Sequence, residues 1–137
     1  DCGSCGNACC RLEITVPRAT ADVMAMLNAS IQSGGSDGAY TAQMTYEGTD
    51  GFADLRPYDK PVDFIGQAIH TTLPPNSFKD SVSVTIAPEG AVGLRSAGSS
   101  VITAFSYSLI AGAYCDDGQN YYNIMSLVTS IEWGGTI

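Results

Sequence analysis

"SVSVTIAPEGAVGLRS" (Ser81–Ser96) decides the fold. Val82, Val84 and Ile86 alternate with Ser83 and Thr85, the period of a strand with one buried face. Pro88, Glu89 and Gly90 interrupt the alternation with turn chemistry. Pro presets φ for a turn, and Gly adopts backbone conformations closed to other residues. Val92 and Leu94 then resume the alternation. Two alternating runs around a turn predict an antiparallel hairpin.

Working outward, "SVITAFSYSLIAG" (Ser100–Gly112) alternates Val101, Thr103, Phe105, Tyr107 and Leu109 and predicts another strand. "VDFIGQAIHTT" (Val62–Thr72) reads as a strand, and so does "AYTAQMTYEG" (Ala39–Gly48), through Tyr40, Ala42, Met44 and Tyr46. "RLEITV" (Arg11–Val16) sets Leu12, Ile14 and Val16 against Arg11, Glu13 and Thr15 until Pro17 ends it. "TDGFADLRPYDKP" (Thr49–Pro61) and "LPPNS" (Leu73–Ser77) read as loops.

Two stretches have helical spacing instead. In "TADVMAMLNASIQSGG" (Thr20–Gly35), Val23, Met26, Leu27 and Ile31 share a face. Thr20 is the expected cap, Asp22 suits the first turn, and Gly34 and Gly35 are the expected stop. In "DDGQNYYNIMSLVTSIEWGG" (Asp116–Gly135), Tyr121, Ile124, Met125, Val128 and Ile131 repeat at the same spacing. The order is strand, helix, a run of strands, helix. The expected class is α+β, a mainly antiparallel sheet of about five to six strands with two helices packed on one face. Residues 1–10 read as a cysteine-rich N-terminal arm and residues 11–137 as one domain.

Composition narrows the function. The chain has 137 residues, 45% hydrophobic and 15% charged, with a net charge of −8. Its six basic residues, Arg11, Arg18, Arg56, Lys60, Lys79 and Arg95, are scattered singly. No basic patch gathers to neutralise phosphates, so nucleic acid is not an expected partner, nor is an anionic lipid surface. No apolar run approaches the ~20 residues of a membrane helix, so no transmembrane segment is expected. The chain begins at Asp1 and not Met, and the expectation is a processed mature form or a trimmed chain; a mature form would imply a leader removed on export or organelle import.

Four of the five cysteines crowd the first ten residues, at Cys2, Cys5, Cys9 and Cys10, and the fifth is Cys115. Two readings compete. Four thiolates could hold zinc or an iron–sulfur cluster, but zinc patterns use two separated pairs, and adjacent Cys9 and Cys10 suit one ion poorly. The favoured reading is disulfide stapling in an oxidising compartment, with no metal. A bridge from Cys9 or Cys10 to Cys115 would close a loop of about a hundred residues, worth roughly 4–5 kcal/mol in the chain-entropy model. Free thiols in a reducing compartment remain the third alternative.

His70 is the only histidine, which excludes a two-histidine metal site. No Gly-x-Ser-x-Gly elbow accompanies it, so no catalytic residue is expected. A lone imidazole can contact the magnesium of a pigment, but a hydrogen-bonded strand histidine is the commoner outcome. No cofactor is expected beyond that pigment alternative. Asp116 and Asp117 beside Gly118 suit a turn and helix cap better than calcium, which needs further oxygen donors. Arg95, near Ser96 and Ser99, suits an anion or, more ordinarily, an ion pair. Asn28-Ala29-Ser30 is a glycosylation sequon inside a predicted helix, and it is expected to stay unoccupied.

Arg95, Ser96 and Ser99, then Asp116, Gly118 and Asn120 ahead of the last helical stretch, resemble the motifs of the uncharacterised domain-of-unknown-function family 1499. "FKDSVSVTI" and "TVPRATADVMAMLNASI" are also similar to the family's hairpin and first strand and helix. The resemblance covers most of residues 11–133, and only the later half is specific. The chain departs from the pattern at Ser100 and Tyr121, where the family often has Arg, and its Ser-to-Asp spacing is longer. The resemblance makes Arg95, Ser96, Ser99, Asp116, Asp117 and Asn120 a candidate anion-binding or structural motif. No reaction is established for that family. Algal members with an acidic body and a cysteine arm look like thylakoid-lumen proteins. The resemblance thus implies a non-catalytic accessory subunit docked on the lumenal side of a photosystem–antenna complex. Alternatives from other classes are a module for a small apolar ligand or pigment, and a cysteine-based redox or metal protein. Stapling predicts that the intact native mass rises on reduction by the hydrogens of two bridges, with no metal in the sample. Bound iron or zinc that blocks alkylation until chelation would instead make the arm a metal site.

Overall fold

The structure, a computed structural model, describes residues 9–34, 40–42, 51–58, 60–71, 79–90, 96–108, 124–125 and 127–128. Their elements are β1 (Cys9–Val16), α1 (Thr20–Gln32), β2 (Tyr40–Ala42), β3 (Phe52–Asp54), β4 (Phe64–Thr71), β5 (Lys79–Glu89) and β6 (Ser96–Ser108). The six strands form one antiparallel sheet in the order β1-β6-β5-β4-β2, and β3 also pairs with β4. β4 therefore shares its second edge between β2, opposite Ala68–His70, and β3, opposite Phe64–Gly66.

The class is α+β with a dominant sheet, as the alternation predicts. One helix is complete among the described residues, where two were expected. Within the second helical stretch, Ile124, Met125, Leu127 and Val128 have helical backbone, and Ile124, Leu127 and Val128 are buried in the core.

α1 connects β1, at one edge, to β2, at the other. Its 13 residues span roughly 20 Å at the helical rise. The four interstrand steps from β1 to β2 cover about 19 Å. The helix is thus long enough to cross the sheet once, and it touches β2, β4, β5 and β6. Val23, Leu27 and Ile31 are buried beneath it, and Met24 and Met26 pack at the margin. They meet Phe64, Val82, Val84, Ile86, Ile102 and Ala104 on the sheet.

The ends of α1 follow the expected residues in part. Thr20 is not the cap. That position is Ala19, which makes no side-chain cap bond, and Thr20 Oγ1 instead donates to Asp63 Oδ2 at 2.7 Å. At the C-terminus Ser33 N–H donates to the Ala29 carbonyl, and Gly34 follows with φ +96°. That left-handed residue is the usual stop, because it lets the chain turn back without a Cβ clash.

The hairpin is longer than the opening stretch predicts. Its arms are β5 and β6, paired from Asp80↔Ser108 to Pro88↔Ser100. Pro88 and Glu89 lie in the strand, and the left-handed turn residue is Gly90, with φ +107°. The expected arm at Val92 and Leu94 lies outside the described residues. Pro88 faces Ser100 while Glu89 faces Ser96, so residues 97–99 form a bulge at the point where Pro has no N–H to give the ladder.

Two further differences have local causes. β1 begins at Cys9, two residues inside the expected arm, because the paired length of β6 carries it on through Cys9↔Tyr107 and Cys10↔Ser106. β3 lies within the stretch read as loop. Its three residues are too few to show a period, and cross-strand packing holds them: Phe52 sits opposite Gly66, and a Cβ on Gly66 would meet the Phe52 ring at 2.7 Å. An aromatic ring over a strand glycine restores the packing that the missing side chain forfeits.

Gly66→Ala would therefore displace the Phe52 ring, and we expect a loss of about 1–3 kcal/mol in chemical denaturation. Gly98 has open space at its Cβ position. Gly98→Ala is expected to leave stability unchanged or raise it by up to ~1 kcal/mol.

Candidate functional site

Alternation gives the sheet two unlike faces. The inner face is covered by α1 and by Ile124, Leu127 and Val128. The outer face carries no element among the described residues. On β6 it shows Val101, Thr103, Phe105 and Tyr107, and on β5 Ser83, Thr85 and Ala87. β4 adds Ile65, Gln67 and Ile69. The spacing that marks β6 as a strand thus belongs to its outer side. The buried side of β6 is Ser100, Ile102, Ala104 and Ser106.

This outer surface has two properties. No charged residue lies on its three central strands between Ser81 and Ala87 of β5 or opposite them, although the chain carries a net charge of −8. Several of its large apolar side chains are also open to solvent. Ile65 is 41% exposed, Phe105 37% and Tyr107 36%. The Phe105 and Tyr107 rings lie 5.5 Å apart at a 35° tilt. Beside them Gln67 Nε2 donates to Ser83 Oγ at 3.1 Å, tying β4 to β5 across the face. Charged groups appear at the rim, where Arg11 and Glu13 of β1 form an exposed ion pair at 3.1 Å. Such a surface can bind a neutral or mixed partner by contact area.

On the inner face one end of the sheet is polar. His70 is buried, stands opposite Asp80 across β4 and β5, and meets the Tyr40 ring edge-on at 4.9 Å. Asp80 and Ser106 are buried as well. His70 is thus a buried strand histidine among aromatic and polar neighbours. At the bulge Ser99 is half-buried, and the next residue, Ser100, is fully buried and donates Oγ–H to the Arg18 carbonyl at 2.6 Å. That bond ties β6 to the turn before α1.

Cys9 and Cys10 are consecutive backbone positions of β1, and Ser96 is the first residue of β6. Cys2, Cys5, Cys115, Arg95, Asp116, Asp117 and Asn120 lie outside the described residues. Among the described residues no group of three or more His, Cys, Asp or Glu is placed to hold a metal ion. No helix among them is long and apolar enough to cross a membrane. The sequon Asn28 packs against Gly51, takes a hydrogen bond from Gln32 at 3.4 Å, and is half-buried in α1.

Sequence reasoning missed one cluster. Arg56 grips Asp54 through its backbone N–H, Nε and Nη2, at 2.9, 2.9 and 2.7 Å. Its guanidinium also lies 4.9 Å above the ring of buried Phe64. The signal was available in the spacing, with Asp54 two residues before Arg56 and the turn residue Pro57. No family model matches this chain, and no curated protein matches it significantly.

The side-chain bonds from Arg56, and next its backbone N–H, hold the Asp54 carboxyl below the usual carboxylate range. Folding thus favours the ionised form. The contribution is complete above the ordinary carboxylate range and is lost as pH falls through the lowered folded-state value. Because the pair is exposed, the effect is small. We expect Asp54→Asn to melt slightly below wild type at neutral pH and level with it in strong acid, as thermal melts across the two conditions would register.

Proposed function

We propose that this chain is a non-catalytic accessory subunit that docks on a membrane-protein complex through the outer face of its sheet. The observation that carries the reading is an aromatic-bearing face, on an acidic domain, whose middle, Ser81 to Ala87 of β5 and the positions opposite, is free of charge. Interface centres are depleted of charge and enriched in Tyr and Phe, with polar groups at the rim. Phe105, Tyr107 and Ile65 fit the centre, and Arg11 and Glu13 fit the rim. A second helix running through Ile124–Val128, which we also infer, would complete the cover of the inner face and leave the outer face for docking.

The particular complex, a photosystem–antenna assembly on the thylakoid lumenal side, rests on the sequence resemblance alone. The same holds for the anion-binding or structural role of Arg95, Ser96, Ser99, Asp116, Asp117 and Asn120. The disulfide staple likewise rests on cysteine number and spacing.

The test is comigration of the tagged protein with detergent-solubilised thylakoid complexes on native gels. Wild type is expected to comigrate. Phe105→Lys and Ile65→Lys should each lose most of the bound fraction while keeping the wild-type circular dichroism, since both side chains lie outside the buried inner layer. Failure of wild type to join any complex sinks the assignment to photosynthetic membranes. Binding that survives both substitutions sinks the assignment to this face.

A further inference from the structure

Among the described residues β1 is an edge strand. β6 pairs with one of its sides, and no strand among the described residues pairs with the other. It has eight residues, against three each in β2 and β3 at the opposite edge. An edge of that length presents a row of N–H and C=O groups to any strand that can match it, and proteins commonly guard such edges with charge. Like charges would repel a second copy of the same strand. β1 instead carries one charge of each sign, Arg11 and Glu13, both well exposed and two positions apart.

That spacing is self-complementary. In an antiparallel pair about a two-fold axis at Leu12, Arg11 of each copy stands opposite Glu13 of the other, and the two Leu12 residues face each other. Opposite charges directly across an antiparallel pair stabilise it, and like charges there oppose it. Leu12 and Ile14 add an apolar reason. Both are only partly buried, and both pack at the margin of the core. A second β1 alongside would extend the sheet, and with it the inner apolar layer, past that margin. The arrangement is isologous, so it closes at two copies and does not propagate.

We propose that β1 is a self-association edge, pairing antiparallel with β1 of a second copy in the register centred on Leu12 to give one sheet continuous through the dimer. The edge adjoins the outer face proposed for docking and shares Arg11 and Glu13 with its rim, but dimerisation is read on the isolated chain with no partner complex present, so either assignment can fail without the other.

The experiment is sedimentation equilibrium on the wild-type chain and on Arg11→Glu, Glu13→Arg and the double exchange R11E/E13R. Circular dichroism of each serves as the check on folding, which these exposed positions should pass. Wild type is expected to dimerise. Each single exchange sets like charges opposite each other twice, so the dimer constant should weaken about tenfold or more. The double exchange restores opposite signs in the same register and should recover most of the wild-type affinity. No cysteine is altered in the series, so intermolecular cross-linking would not follow this pattern. A wild type that stays monomeric at the highest concentration reached overturns the proposal. So do single exchanges that dimerise like wild type, or a double exchange no tighter than the singles.

Discussion

The structure depends on one helix lying across one face of one sheet. α1 leaves β1 at one edge and delivers the chain to β2 at the other, so its length and the width of the sheet are matched. Val23, Leu27 and Ile31 are the points of contact, buried against Val84, Ile86, Ile102 and Ala104. Burial of this kind stabilises by roughly 1.5–3 kcal/mol for each large apolar side chain. It also fixes register. A one-residue slip of β5 or β6 would turn Val84 and Ile102 outward and Thr85 and Thr103 inward. The polar ties are few but well placed. Ser100 to the Arg18 carbonyl and Thr20 to Asp63 both anchor the segment between β1 and α1, where the crossing begins.

Much of this was legible from the chain. Val82, Val84 and Ile86 mark the inner face of β5, and Val23, Leu27 and Ile31 mark the buried stripe of α1. Both succeed because one-sided burial writes its period into the sequence. β6 was recognised through Val101, Thr103, Phe105 and Tyr107, which lie on its open side. Its strand propensity was read correctly while its buried side, Ser100, Ile102, Ala104 and Ser106, carries too few large side chains to stand out. β3 was illegible because its stability comes from Phe52 lying over Gly66, a contact between residues 14 positions apart. Thr20 had the right chemistry for a cap, but a carboxylate on a distant turn, Asp63, claimed its hydroxyl. Of the candidate site, the cysteine and Arg95–Asn120 motifs were visible as residue types, and nothing in their spacing fixes what they meet in space. The outer face could not be read as a surface at all until the register of β4, β5 and β6 aligned its residues.

The same alternation that builds the core therefore creates the open face. Covering one side of a sheet with α1 obliges the other side to be made of residues that tolerate water, and Ser83, Thr85, Thr103 and Gln67 meet that need. Phe105, Tyr107 and Ile65 add nothing to the buried inner layer. A single exposed apolar residue calls for no explanation. Phe105 and Tyr107 are adjacent outward positions of one strand with their rings in contact, and Ile65 stands two strands away on a surface whose charged groups, Arg11, Glu13 and Lys79, lie at its margins. Acidic residues are plentiful in this chain, so their absence between Ser81 and Ala87 of β5, and from the positions opposite on β4 and β6, is a feature of that stretch and not of the composition. Solubility would be served equally well by Glu or Lys at these positions, and what distinguishes the residues present is that they lower the cost of removing water from the surface. That is the property a docking face requires and a permanently solvated one does not.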